Sequence, residues 1–384
     1  MHLNININRY LILSLIIVNL CYSSFYKIVN KYDFNLNNKF IKEKINNNSN
    51  RKYNINEKIC LHFIINNMSS KNSGIYTNFL YTKNIGELST GHEILSESEG
   101  LIMLYWIKVN NKQEFDKHFA LLKKEFLFDK KILMWRIKGS YNNITISSSS
   151  IDNLRILKAL MYAYNKWQDA NYYKFFISIN SGLLKNNLYK GMLTNFYNSD
   201  NKSIDYNINL SYIDLYTMQF AGDSGENKWE AVRLKGLDTI KGGYISDVLP
   251  LYKKSYNMKY DEYDEAPTIN LIDSLLVVLH LSEIGKERIR TIRWLKDQLK
   301  TGALYSEYNL KNGKPKTKQQ STAVYALAAR IGKIIDDESL YNSSIEKMIT
   351  LQVVDKQSKI YGSFGNTVTL QVFSFDNLEA LLAF

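Results

Sequence analysis

Proline is nearly missing, with 3 in 384 residues. With so few rings to interrupt the backbone hydrogen-bond ladder, long helices can run unbroken. Cysteine is rarer still: Cys21 and Cys60 are the whole supply. No CxxC pair and no Cys/His cluster is present, so the pattern offers no metal site. Cys21 closes an N-terminal apolar stretch, and if that stretch is cleaved Cys60 has no partner for an intrachain disulfide. Long basic runs and nucleic-acid motifs are also absent, although the formal net charge is +12. Nucleic acid is therefore not an expected partner. The charge reads either as a Lys-rich solvated surface or as attraction to an acidic partner such as an anionic polysaccharide, a cell wall or anionic lipid. What remains is ordinary globular material, 45% hydrophobic and 22% charged, with 28 tyrosines.

The N-terminus reads as a leader. Residues 10–22, YLILSLIIVNLCY, follow a short basic segment and precede Ser23-Ser24. An apolar core of about a dozen residues behind a basic region is typical of a signal peptide. It is shorter than the ~20 residues of a comfortable membrane span. Residues 1–24 are thus expected to be a signal peptide or an uncleaved signal anchor, with the remainder outside the cytoplasm or held at the cell surface. Residues 25–55 are Asn- and Lys-rich and read as a polar spacer. Residues 56–384 show no linker and read as one domain, expected to be monomeric.

That domain is helical in pattern almost throughout. Leu101–Val109 is continuously apolar. Gln113–Phe128 and Ile151–Trp167 carry apolar residues at helical spacing. Thr268–Ile284 is apolar on nearly all faces and lies between Pro267 and Gly285, a start and a stop signal. Lys286–Leu299, Ser321–Ile334, Glu338–Val354 and Asn377–Phe384 follow. Helices apolar on every side belong inside, and here they alternate with amphipathic ones. The alternation predicts inner and outer helices paired as hairpins, closing into an all-α (α/α)6 toroid. An open helical solenoid is the rival.

Several residues could carry chemistry. Glu99 lies in the first turn of a helix in SESEGLIMLYW, where an acid is also ordinary capping chemistry. Asp261, Asp264 and Glu265 precede the apolar helix at 268–284. Paired carboxylates are what glycoside hydrolysis needs, but a solvated acidic loop or a helix N-cap is the plainer reading. Asp152 opens a helix and could be a cap. Asp273 inside an apolar helix is costly unless paired. Trp106, Trp135, Trp167, Tyr212 and Trp229 could pack the core or stack on sugars, and Arg136 beside Trp135 would suit a pyranose ring.

Together these segments resemble glycoside hydrolase family 8, and its exopolysaccharide-associated branch, from about residue 60 to Phe384. SESEGLIMLYW (96–106) resembles the helix that supplies the family's general acid, which implies Glu99. ILMWRI (132–137) resembles its Trp-Arg segment, implying sugar contacts from Trp135 and Arg136. NLSYIDLYTMQF (209–220) implies that Tyr212 faces the cleavage subsite. YDEAPTINLIDSL (263–275) implies Asp264 as general base, with Asp261 and Asp273 as alternatives. Against the family's ATDAD stretch, SSSSID (147–152) keeps Asp152 at the last acid and has Ser150 at the first. The resemblance implies an inverting hydrolase acting on a β-linked polysaccharide, without metal or organic cofactor. The alternatives are a catalytically impaired polysaccharide-binding protein on the same fold and, more remotely, a lyase.

Overall fold

Helices that bury every face alternate along the chain with helices that bury one stripe. In the computed structural model, which describes residues 51–384 apart from 83–88, 90, 130, 138–145 and 226, twelve α-helices follow this rule. The expected leader and nearly all of the spacer lie outside the described residues. The last spacer residues already belong to the helical domain, since α1 spans Asn54–Asn67.

Six helices form an inner set: α2 (Ser96–Lys108), α4 (Ser150–Trp167), α6 (Leu215–Asp223), α8 (Leu271–Glu283), α10 (Thr322–Ile334) and α12 (Ser374–Ala383). Each packs on the next, and α12 packs back on α2. The ring is therefore closed, and the solenoid alternative falls. Outside it lie α1, α3 (Lys112–Leu121), α5 (Ala170–Asn186), α7 (Lys228–Gly242), α9 (Ile289–Thr301) and α11 (Glu338–Ile349). The contrast between neighbours is sharp. In α10 every residue from Thr322 to Gly332 is buried, whereas α9 buries only Thr291, Ile292, Leu295 and Leu299. Each large aliphatic side chain so enclosed contributes about 1.5–3 kcal/mol. At Gly332 a Cβ would lie 2.6 Å from the Tyr341 amide nitrogen, so α10 and α11 approach at backbone contact.

Inner-to-outer links are short, such as 109–111, 168–169 and 335–337. Links of that length make antiparallel helical hairpins. All inner helices therefore start at one end of the ring, and the long outer-to-inner connections gather there. Those connections hold the small sheets. Ile94–Leu95 pairs with Arg136–Ile137 just before α2. Ser147–Ser149 pairs with Phe196–Asn198 just before α4. Thr268–Asn270 pairs with Glu307–Asn309 just before α8. The helix expected from Thr268 thus begins at Leu271, because that pairing holds 268–270 extended. The Asn270 side chain accepts the Ile272 amide at 2.8 Å as its cap. The helix expected through Phe128 changes at Leu121 into a wider π turn over Leu122–Phe126, and that expected to Val354 stops at Ile349.

Side chains also fasten the ring where first and last helices meet. Ser98 and Ser374 hydroxyls lie 2.9 Å apart across α2 and α12. Asp376 of α12 accepts the Ser321 hydroxyl and the Ala323 amide, each at 2.9 Å, and so caps α10. Among the described residues no helix is long and apolar enough to cross a membrane.

Candidate active site

A strand feeding an inner helix fixes where the helix's first turn points. Glu97, Asp152 and Asp273 all occupy first turns of inner helices, α2, α4 and α8. They converge on the same end of the ring. Tyr212, in the 3-10 turn Leu210–Tyr212 before α6, stands among them. Its hydroxyl is held above the ordinary range by burial and by the negative fields of Asp152, Glu97 and Asp273, which Arg155 opposes.

Glu97 is strongly perturbed. Burial first, then repulsion from Asp152 and Glu379, pushes its pKa up to about 7 although Arg155 pulls the other way. A carboxyl so placed keeps its proton near neutrality, as a general acid must. Asp152 is buried and accepts Arg155 Nη1 at 2.9 Å and the Ser96 hydroxyl at 3.3 Å. Burial nevertheless raises its pKa. Gly100 makes room for this pair: a Cβ there would lie 3.0 Å from Arg155 Cγ, so the arginine stem crosses α2 at its glycine. Glu379 of α12, ion-paired to Arg330 of α10, closes the charged cluster from behind.

Asp273 is raised by burial and by Asp264, against the pull of Lys254. Asp264 lies beside it, half-buried, accepting the Ser255 amide at 2.7 Å. Asp261 stands apart on a hairpin tip, 65% exposed at its side chain and 3.5 Å from Lys190.

Glu99 is elsewhere. Two positions along a helix turn a side chain by about 200°, so Glu97 and Glu99 leave α2 on opposite sides. Glu99 is fully buried, with one oxygen accepting the Ile75 amide at 2.9 Å and the other on His118 Nδ1 at 2.7 Å. Both oxygens hold structure rather than face the cluster.

Trp135 reaches the site through its backbone. Its carbonyl accepts the Ser96 amide at 2.9 Å, one residue before Glu97. The Arg136 guanidinium lies 4.4 Å from the Trp135 ring centroid. Trp106 and Trp229 are core residues. Trp167 donates to Asn110 at 3.1 Å, at the end of the ring with the short links.

Two turns below Asp152 on α4, Lys158 sits in a second buried cluster. Its ammonium is 2.9 Å from Asp214 and 2.8 Å from Glu283, with His280 adjoining. Asp214, His280 and Glu283 have ligand atoms within 4.8 Å of one another, the spacing of a metal site. Lys158 supplies the positive charge there, and together with His280 it holds Asp214 below the ordinary range despite its burial.

Sequence reasoning missed Glu97, Arg155, Lys158 and Glu379. For Glu97 a signal existed: like Asp152 it follows directly on a short β-prone stretch at the opening of an apolar helix.

Comparison with known proteins agrees with this fold. A family description, glycosyl hydrolases family 8, matches residues 84–249. The structure of a novel alpha-amylase from Clostridium perfringens superposes with a TM-score of 0.80 at 37% identity, covering 86% of this chain and 96% of that one. A cold-adapted family 8 xylanase in complex with substrate shares the fold at a TM-score of 0.60 and 14% identity, over 87% and 90% of the two chains. A curated relative, named "Putative lipoprotein YdaJ" in Bacillus subtilis (strain 168), is 28% identical over 80% of this chain and 84% of its own length. With its closed double ring and its carboxylates gathered at one end, the chain belongs to glycosyl hydrolase family 8 and is a glycoside hydrolase.

Proposed function

We propose that the chain hydrolyses a long glucan with inversion at the anomeric carbon, Glu97 acting as general acid and Asp273 as general base. One observation carries this reading. Acids from three inner helices influence a single phenol, Tyr212, and one of them, Glu97, titrates near 7. Glu97 would donate its proton to the departing glycosidic oxygen. Asp273, made more basic by burial and by Asp264, would take a proton from water on the opposite face of the sugar. Inverting carboxyl pairs stand ~6.5–9.5 Å apart to leave room for that water. Asp152, oriented by Arg155, would accept hydrogen bonds from the ring in the cleavage subsite. Tyr212 would position the water, and Trp135, backed by Arg136, would stack on a neighbouring sugar. Glu99 takes no part in the chemistry on this reading, and Asp264 supports the base rather than being it.

For the linkage, similarity to the Clostridium alpha-amylase favours an α-linked glucan over the β-linked polymer that the sequence resemblance implies. We also place the enzyme outside the cytoplasm, delivered by residues 10–22, in keeping with the name of the Bacillus relative.

The test uses soluble starch and a β-1,4-glucan in parallel, reading reducing ends and the first-formed anomer by proton NMR. Starch cleavage giving the β-anomer supports the proposal. Release of the α-anomer from starch rules out inversion, and cleavage of the β-glucan alone moves the substrate, with inversion then read as the α-anomer. Binding to either polymer without new ends supports the non-catalytic alternative.

A further inference from the structure

The three-stranded sheet of Asn207–Asn209, Ser255–Asn257 and Glu262–Tyr263 has one end in the active site and the other at the surface. Its first strand leads into Tyr212, and its last into Asp264. At the far end stand two exposed rings, Tyr206 at 42% and Tyr260 at 65% exposure. Lys259 lies between them, 5.6 Å from one ring centroid and 5.5 Å from the other. Tyr206 is propped from behind by Tyr189, edge to face at 4.9 Å.

The rings stand on a rigid base. Asn257 accepts the amides of Lys259 and Tyr260 at 2.9 and 3.1 Å, and its own amide donates to Asn207 at 2.9 Å. Asp261 completes the hairpin with φ +58° and meets Lys190 at 3.5 Å. Little backbone freedom is left in the hairpin to lose on binding, which favours affinity.

We propose that Tyr206, Lys259 and Tyr260 form a second binding surface for the polysaccharide substrate, gripping the chain beyond the cleavage subsites. Flat rings separated by a charged group and framed by Asn and Asp side chains suit a sugar polymer, with its apolar ring faces and hydroxyl edges. A protein partner would call for a contiguous apolar patch, and here a lysine divides the two rings. Continuity fixes the occupant further. Tyr206 is six residues from Tyr212, so at most ~20 Å of extended chain separates platform from site. One glucan can reach both. The inference rests on the glycan-hydrolase reading of the site.

The experiment uses full-length protein carrying Glu97→Gln, so that the polymer survives, with and without Tyr206→Ala and Tyr260→Ala together. Migration is followed in native gels containing soluble starch or carboxymethylcellulose, which separates α- from β-linked ligands. The double substitution should weaken retardation by about tenfold in dissociation constant, while Tyr206→Phe with Tyr260→Phe preserves it. In protein with Glu97 intact, the alanine pair should raise KM on the polymer and leave kcat/KM on a short oligosaccharide within about twofold. Equal retardation with and without the rings overturns the inference, as does no retardation of the ring-intact protein by either polymer. A Glu97→Gln enzyme that still cuts the polymer refutes the acid assignment instead, and binding is then compared at short times.

Discussion

Replacing Glu97 by Gln keeps the shape of the side chain and removes its proton chemistry. Two consequences follow from its pKa near 7. The first concerns rate. General acid catalysis contributes about 10²–10⁴-fold, and kcat should fall by that factor. In the native enzyme kcat/KM should decline as pH rises through about 7, because the acid is then spent. The second concerns stability. Below pH 4.5 the carboxyl is neutral whether folded or unfolded, and Gln gains nothing. Above about 7 it is ionised in both states, and the fold carries the cost of holding a charge away from water. Raising the pKa from 4.5 to about 7 corresponds to a ceiling of roughly 3 kcal/mol, less what solvent at this partly exposed site screens. Glu97→Gln should therefore melt a few degrees above the native enzyme at pH 8 and match it at pH 4. Reducing-end assays and thermal denaturation at both pH values decide it. Retention of activity by Glu97→Gln, alongside its loss in a folded Glu99→Gln, would refute the reasoning.

Asp273→Asn should lower kcat by about 10²–10⁴-fold with near-native melting, whereas Asp264→Asn should cost less, read from steady-state kinetics. Glu99→Ala should destabilise the fold by about 3–5 kcal/mol by leaving His118 and the Ile75 amide unpaired in the core, measurable by urea unfolding. Lys158→Ala should destabilise by a similar amount, since Asp214 and Glu283 then repel. Zn²⁺ should partly restore the melting temperature of Lys158→Ala and leave the native enzyme unmoved, because three ligands then await a cation. Gly332→Ala should cost about 1–3 kcal/mol by forcing α11 off α10, seen in the same unfolding curves.

Much of the helical content was legible because burial and period coincide. Ile151–Trp167 and Ser321–Ile334 match α4 and α10 to within a residue at each end. Ring closure was not legible, because it depends on α12 meeting α2 from the far end of the sequence. Thr268–Asn270 read as helix because its strand partner lies some forty residues on. Asp152, Tyr212 and Trp135 were named from local motifs; the structure brings Asp152 and Tyr212 to the same end of the ring as Glu97, and Trp135 reaches the neighbouring Ser96 through its carbonyl. The acid proposed from the structure, Glu97, stands two residues before Glu99, which the sequence resemblance implies. SESEG offers two glutamates, and no composition or period says which side of α2 faces the groove. Lys158 gave no local signal, since its carboxylates Asp214 and Glu283 sit on other helices, and Arg155, although it pairs with Asp152 on its own helix, meets the fields of Glu97 and Glu379 only in the folded ring.

The clasp between α12 and α2 also sets the order of assembly. Glu379, Asp376 and Ser374 all arrive with the last helix, after every other part of the ring has been made. Until then α2 and α10 present bare apolar flanks, and the Arg155 and Arg330 guanidiniums lack one carboxylate. A nascent chain halted before Ser374 would be a gaping horseshoe, prone to stick to its own kind and without the Glu379 field on Glu97. Competence thus comes in a single late step, when the final helix drops into its slot.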